Sequence, residues 1–115
     1  MQRHLDHMAK AADATPEQKT KLAAIAKAAQ ADIKPLHDQL RANRDRGTAL
    51  YTAATIDRAA LEQHRAAQFQ IMEQISRRRM QARLDSADVL SAEQRGKLAA
   101  AMKKHHERRE HGRPQ

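Results

Sequence analysis

The chain has 115 residues, a net charge of +8, no cysteine, and only one Phe, one Tyr and no Trp. That excludes disulfides, thiol catalysis and Cys-ligated zinc, and with 3 Gly and 3 Pro it excludes turn-rich β-sandwiches and barrels. Apolar character resides mostly in Ala, which buries little area, so long helices steadied by a partner chain fit the composition best.

The first expected element is a short helix over His4–Ala12, with Leu5 and Met8 facing inward. Thr15-Pro16-Glu17-Gln18 then opens a long helix. Thr15 caps the free backbone N–H groups, Pro16 suits the first helical position, and Gln18 completes a capping box. Leu22, Ile25, Ala29, Ile33, Leu36 and Leu40 follow at steps of three and four, which is one apolar stripe. Gly47 reads as the stop, so the helix is expected over about Pro16–Arg46, with a kink at Pro35.

Residues 47–56 read as a connection, and Asp57 as the N-cap of a second long helix over Arg58–Val89. Its expected apolar face is Leu61, Phe69, Met72, Ile75, Met80, Leu84 and Ala87. Ser91-Ala92-Glu93-Gln94 repeats the capping box and opens a last helix through Leu98 and Met102. The whole is an all-α, single-domain chain over 1–115, short-long-long-short, with a flexible basic, His-containing tail from about 105. The motif helices carry no chemistry of their own; they set where two helices begin.

No apolar run approaches the ~20 residues that cross a bilayer. Nor does Met1-Gln2-Arg3-His4 begin a signal peptide, so an exported protein would correspond here to its mature part.

Thr15-Pro16-Glu17-Gln18-Lys19-Thr20-Lys21-Leu22-Ala23-Ala24 matches Ser91-Ala92-Glu93-Gln94-Arg95-Gly96-Lys97-Leu98-Ala99-Ala100. Read with the preceding residues, Ala14-Thr15-Pro16-Glu17-Gln18 and Leu90-Ser91-Ala92-Glu93-Gln94 resemble the twice-occurring Leu-Thr-x-x-Gln signature. Ala14 and Ser91 are the departures. The stretch from Thr55 to Leu90 also resembles the third helix of that family, and the resemblance covers roughly residues 5–105. The family is the LTxxQ-motif family of periplasmic proteins, with Spy/CpxP-like chaperones and the metal-linked ZraP and CnrX. The resemblance implies a long antiparallel helical hairpin, a cradle-shaped antiparallel homodimer and a periplasmic location. For the Spy-like branch it implies ATP-independent binding of unfolded or aggregation-prone proteins on a basic concave face. The alternative is a heavy-metal sensor or stress-response regulator docking on a membrane signalling partner.

Charge is uneven. Residues 1–57 hold 9 Lys/Arg against 7 Asp/Glu, while residues 58–115 hold 13 against 7. Arg77 has Glu73 four residues back, but Arg78, Arg79 and Arg83 have no acid three or four residues away. A solvated face, a client-binding surface and nucleic-acid contact are the three roles open to this cluster. The absence of interleaved aromatics and of any reading motif disfavours nucleic acid. The expected client-binding set is therefore Arg78, Arg79 and Arg83 with Phe69, Met72, Ile75 and Met80 wherever these are exposed.

His4 and His7 in the first helix and His105, His106 and His111 in the tail are weak candidates for zinc, nickel or copper. In the metal-sensing branch a His-x-x-x-Met pair precedes the second motif. Those positions here hold Ala82 and Ser86, so that site is not carried over and no cofactor is expected. His37 and His64 read as isolated surface or boundary residues. No Gly-rich phosphate loop and no nucleophile–base spacing supports an enzyme. Expected partners are unfolded proteins, a second copy and a membrane sensor protein.

Overall fold

Two capping boxes and an Asx cap start the three longer helices. In the computed structural model, which describes residues 2–112, the elements are α1 (Gln2–Ala11), α2 (Pro16–Tyr51), α3 (Arg58–Val89) and α4 (Ala92–His111). No strand occurs among the described residues. The Gln18 backbone N–H donates to Thr15 Oγ1 at 3.1 Å, and the Thr15 N–H donates to Gln18 Oε1 at 2.9 Å. Ser91 and Gln94 repeat both bonds, at 3.1 and 2.9 Å. The Ala60 N–H donates to Asp57 Oδ1 at 3.0 Å. These caps stand where the sequence places them.

α2 is longer than expected and passes through two residues that usually interrupt helices. Pro35 is exposed, as is Ala31, whose carbonyl the proline leaves without a donor. Water can serve that carbonyl, so the helix continues. Gly47 does not terminate α2, which runs to Tyr51; the connection is correspondingly shorter. Instead Gly47 is buried, and a Cβ there would lie 2.4 Å from His64 Nε2. Glycine is needed at this position because the His64 ring occupies the space a side chain would take. His64 is thus a packing residue and no isolated surface histidine.

The chain divides into two compact units, residues 27–82 and residues 2–26 with 83–112. In the first, Ala29, Ile33 and Ile75 form the buried cluster, flanked by Leu36, Leu40, Ile71 and Ala82. The α2 side agrees with the sequence stripe. The α3 side does not: Ile71, Ile75 and Ala82 face inward, joined by the half-buried His64, Gln68 and Arg78. These recur at steps of three and four, so they share one face. Phe69, Met72 and Met80, expected on the buried face, are 59%, 47% and 51% exposed. Polar residues occupy much of the inward stripe, and that is why a search for apolar periodicity selects the wrong side. Asn43 uses both amide protons within this unit, donating to the His64 carbonyl at 3.1 Å and to Gln68 Oε1 at 2.9 Å.

In the second unit α1 ends in a Schellman turn. The Ala14 N–H reaches the Ala9 carbonyl at 2.9 Å and the Asp13 N–H reaches Lys10 at 3.2 Å. Asp13 takes the left-handed position at φ 54°, one that aspartate tolerates better than most residues. The turn brings Ala9 and Ala12 into the interior. Asp6 pairs with Lys19 at 2.6 Å and Asp13 with Lys97 at 2.8 Å. α4 remains helical through the expected tail as far as His111, and Gly112 caps it.

Candidate functional site

The two motif glutamines meet. Gln18 Nε2 donates to Gln94 Oε1 at 3.0 Å, and Gln94 Nε2 donates to Gln18 Oε1 at 2.8 Å. Each amide has one further proton, which Gln18 gives to the Val89 carbonyl at 3.0 Å and Gln94 to the Asp13 carbonyl at 3.1 Å. With the cap bonds included, every donor of both amides is used. Glutamate would serve the capping box equally well, but a carboxylate has no proton to offer its counterpart. The pairing is therefore a reason for Gln at both positions. Its only trace in the sequence is that both boxes close with Gln.

Arg95 and the ion pairs reinforce this junction. Arg95 NH1 donates to the Ala87 and Leu90 carbonyls at 3.0 and 2.8 Å, satisfying the end of α3. Hydrogen bonding and charge from Lys97 hold the Asp13 carboxyl below its ordinary value, while Asp13 raises Lys97. The Lys19 ammonium, with help from Gln2, likewise lowers Asp6. All of this is architecture, with no nucleophile or acid–base pair aimed at an open space.

The exposed apolar residues on α3 form a different kind of surface. Phe69, Met72 and Met80 lie on the side of α3 opposite Ile71, Ile75 and Ala82. Arg65 sits over the Phe69 ring, 5.5 Å from its centroid. Its Nε also donates to Glu62 Oε2 at 2.9 Å, and that pairing raises the guanidinium's affinity for its proton. Arg79 is exposed and takes part in no ion pair among the described residues. The surface therefore offers soft, adaptable apolar contact next to a free positive charge.

Two expected members leave the set. Ile75 is 5% exposed and belongs to the core, so it is unavailable to a partner molecule. Arg78 is not free: its Nε donates to Asp32 at 2.7 Å, and its NH1 is buried without a hydrogen-bond partner. The partner lies 46 residues away in sequence, beyond any search of neighbouring helical positions. Arg83 is exposed and free of ion pairs among the described residues, but it belongs to the other unit. Arg77 pairs with Glu73 at 2.9 Å, as its spacing predicts.

His4, His7, His105, His106 and His111 are all exposed, and His106 Nε2 lies 3.2 Å from Glu110 Oε1. Among the described residues no group of three or more His, Cys, Asp or Glu side chains could hold a metal ion. No described helix is long and apolar enough to cross a membrane. A family model described as LTXXQ motif family protein matches residues 1–102. No curated protein and no solved structure matches the chain.

Proposed function

The chain belongs to the LTXXQ motif family, and from that premise we propose a periplasmic, ATP-independent binding protein for unfolded or aggregation-prone polypeptides, without enzymatic activity. The observation that carries the reading is the exposure of Phe69, Met72 and Met80 beside Arg79 on one side of α3. Unfolded chains present scattered apolar side chains and variable charge. Flexible thioethers and an aromatic ring accommodate such diversity better than a shaped pocket does.

The contacts within residues 27–82 support an antiparallel hairpin: Asp32 meets Arg78, Ile33 shares a cluster with Ile75, and Asn43 reaches Gln68. The small buried cluster favours a homodimer, because Ala29, Ile33 and Ile75 remove little apolar area from water. A role as a heavy-metal sensor has no assembled ligand group to favour it among the described residues.

The test is suppression of aggregation of a destabilised protein without ATP, comparing the parent with Phe69→Ser/Met72→Ser/Met80→Ser. The parent should suppress aggregation and the triple variant should not, with both keeping the same helicity. Equal suppression by the two proteins would remove α3 from the function.

A further inference from the structure

The family match stops at residue 102, yet α4 continues unbroken to His111, where the Gly112 N–H closes it on the Arg108 carbonyl at 3.0 Å. Residues 103–112 are exposed at every position. A helical arm that is polar all round has no core to serve, so its side chains are free to engage something outside the fold. At about 100° per residue, Lys104, His105, Arg108, Arg109 and His111 fall on one side of the arm. Glu107 and Glu110 fall on the other, and Glu110 is engaged with His106 at 3.2 Å. The carboxylates therefore leave the cationic side uncancelled.

We propose that this extension is a docking arm for the surface of an anionic phospholipid bilayer. Guanidinium forks fit phosphate oxygens in pairs, and imidazole N–H groups add further donors. A straight arm with one cationic side suits a plane of phosphates. It lacks the aromatic rings that stack on single-stranded bases and any motif that reads a duplex groove. Residues 103–112 contain no large apolar side chain, so the arm rests on headgroups and does not enter the acyl region. The net charge of +8 draws the rest of the molecule toward the same surface. This docking is independent of the client-binding reading, since it uses a different segment.

The full chain is sedimented with vesicles of equal parts phosphatidylglycerol and phosphatidylcholine, with pure phosphatidylcholine vesicles and duplex DNA alongside. It should partition onto the anionic vesicles only, and about 0.5 M salt should release it. Lys104→Gln/Arg108→Gln/Arg109→Gln should lower partitioning about a hundred-fold, at about five-fold per charge removed. Lys27→Gln/Lys34→Gln/Arg46→Gln removes the same charge elsewhere and should lower it far less. Equal loss in the two triple variants overturns the proposal, because attraction would then belong to the whole molecule. Binding to phosphatidylcholine, or to DNA in preference to anionic vesicles, overturns it as well. Aggregation suppression is measured on the same variants, so a failed arm and a failed client surface are read separately.

Discussion

Gln18 and Gln94 close a reciprocal amide pair, each donating to the other's side-chain oxygen at 3.0 and 2.8 Å while also serving as the inner half of its own capping box. Two helix starts that lie far apart in sequence are thereby bound to each other. Gln18→Glu keeps the cap acceptor but loses two donated bonds and sets one acceptor against another. It should cost about 1–3 kcal/mol, and urea unfolding monitored by circular dichroism measures it. Combining Gln18→Ala with Gln94→Ala should show a coupling of about 0.5–3 kcal/mol, because one partner's loss already disables the other. Strict additivity would mean the pair contributes nothing beyond two separate caps.

The cap side chains should behave more simply. Thr15→Ala and Ser91→Ala each remove the acceptor for a backbone N–H and should cost about 0.5–2 kcal/mol. Neither should alter aggregation suppression at temperatures where the variant is folded. A loss of activity at an unchanged thermal midpoint would assign the motif a direct role in binding.

Gly47→Ala tests the packing of glycine against histidine. In an ordinary helix interior the change stabilises by about 1 kcal/mol. Here the new methyl would collide with the His64 ring, and overpacking of this kind costs about 1–3 kcal/mol. The variant should therefore be less stable than the parent. In a His64→Ala background the sign should reverse, since the obstructing ring is gone. Thermal melts of the four proteins read the reversal directly.

Arg78 and Arg79 are adjacent but should respond differently. Arg78→Gln breaks the link to Asp32 at a partly buried site and should destabilise by about 1–2 kcal/mol. Arg79→Gln should stay within about 0.5 kcal/mol. Arg79→Glu should slow capture of an acidic client in low salt while leaving helicity intact. Arg83→Glu, made separately, tests the other unit. Stopped-flow association across a salt series distinguishes a lost attraction from a lost contact.

Acid should weaken the hold on α1. The Asp6 and Asp13 carboxyls titrate below the ordinary value of 3.8 because Lys19 and Lys97 favour their charged forms. The unfolded chain therefore binds protons first as pH falls. The stabilisation is complete above about pH 5 and is lost as pH drops through the lowered folded values. Both pairs are exposed, so added salt should shrink the effect. Asp13→Asn should flatten the acid limb of a thermal-midpoint profile, and an unchanged limb would show that the Lys97 pair contributes nothing.

The helix starts were legible in the sequence because caps are local. Thr15, Asp57 and Ser91 each satisfy N–H groups within three residues, and no distant part of the chain is needed to recognise them. The α2 stripe through Ala29, Ile33, Leu36 and Leu40 was legible for a similar reason, as its inward positions are apolar throughout. Tertiary structure alone decided which side of α3 turns inward, because His64, Gln68 and Arg78 interrupt the apolar rhythm of that side. Each of them gains its place from a group on α2: His64 from the space at Gly47, Gln68 from Asn43, Arg78 from Asp32. Such partners stand 17 to 46 residues away, as with His64 and Gly47 at the near end and Arg78 and Asp32 at the far end. A periodic pattern records how a residue relates to water, whereas these positions depend on a particular atom across the helix pair.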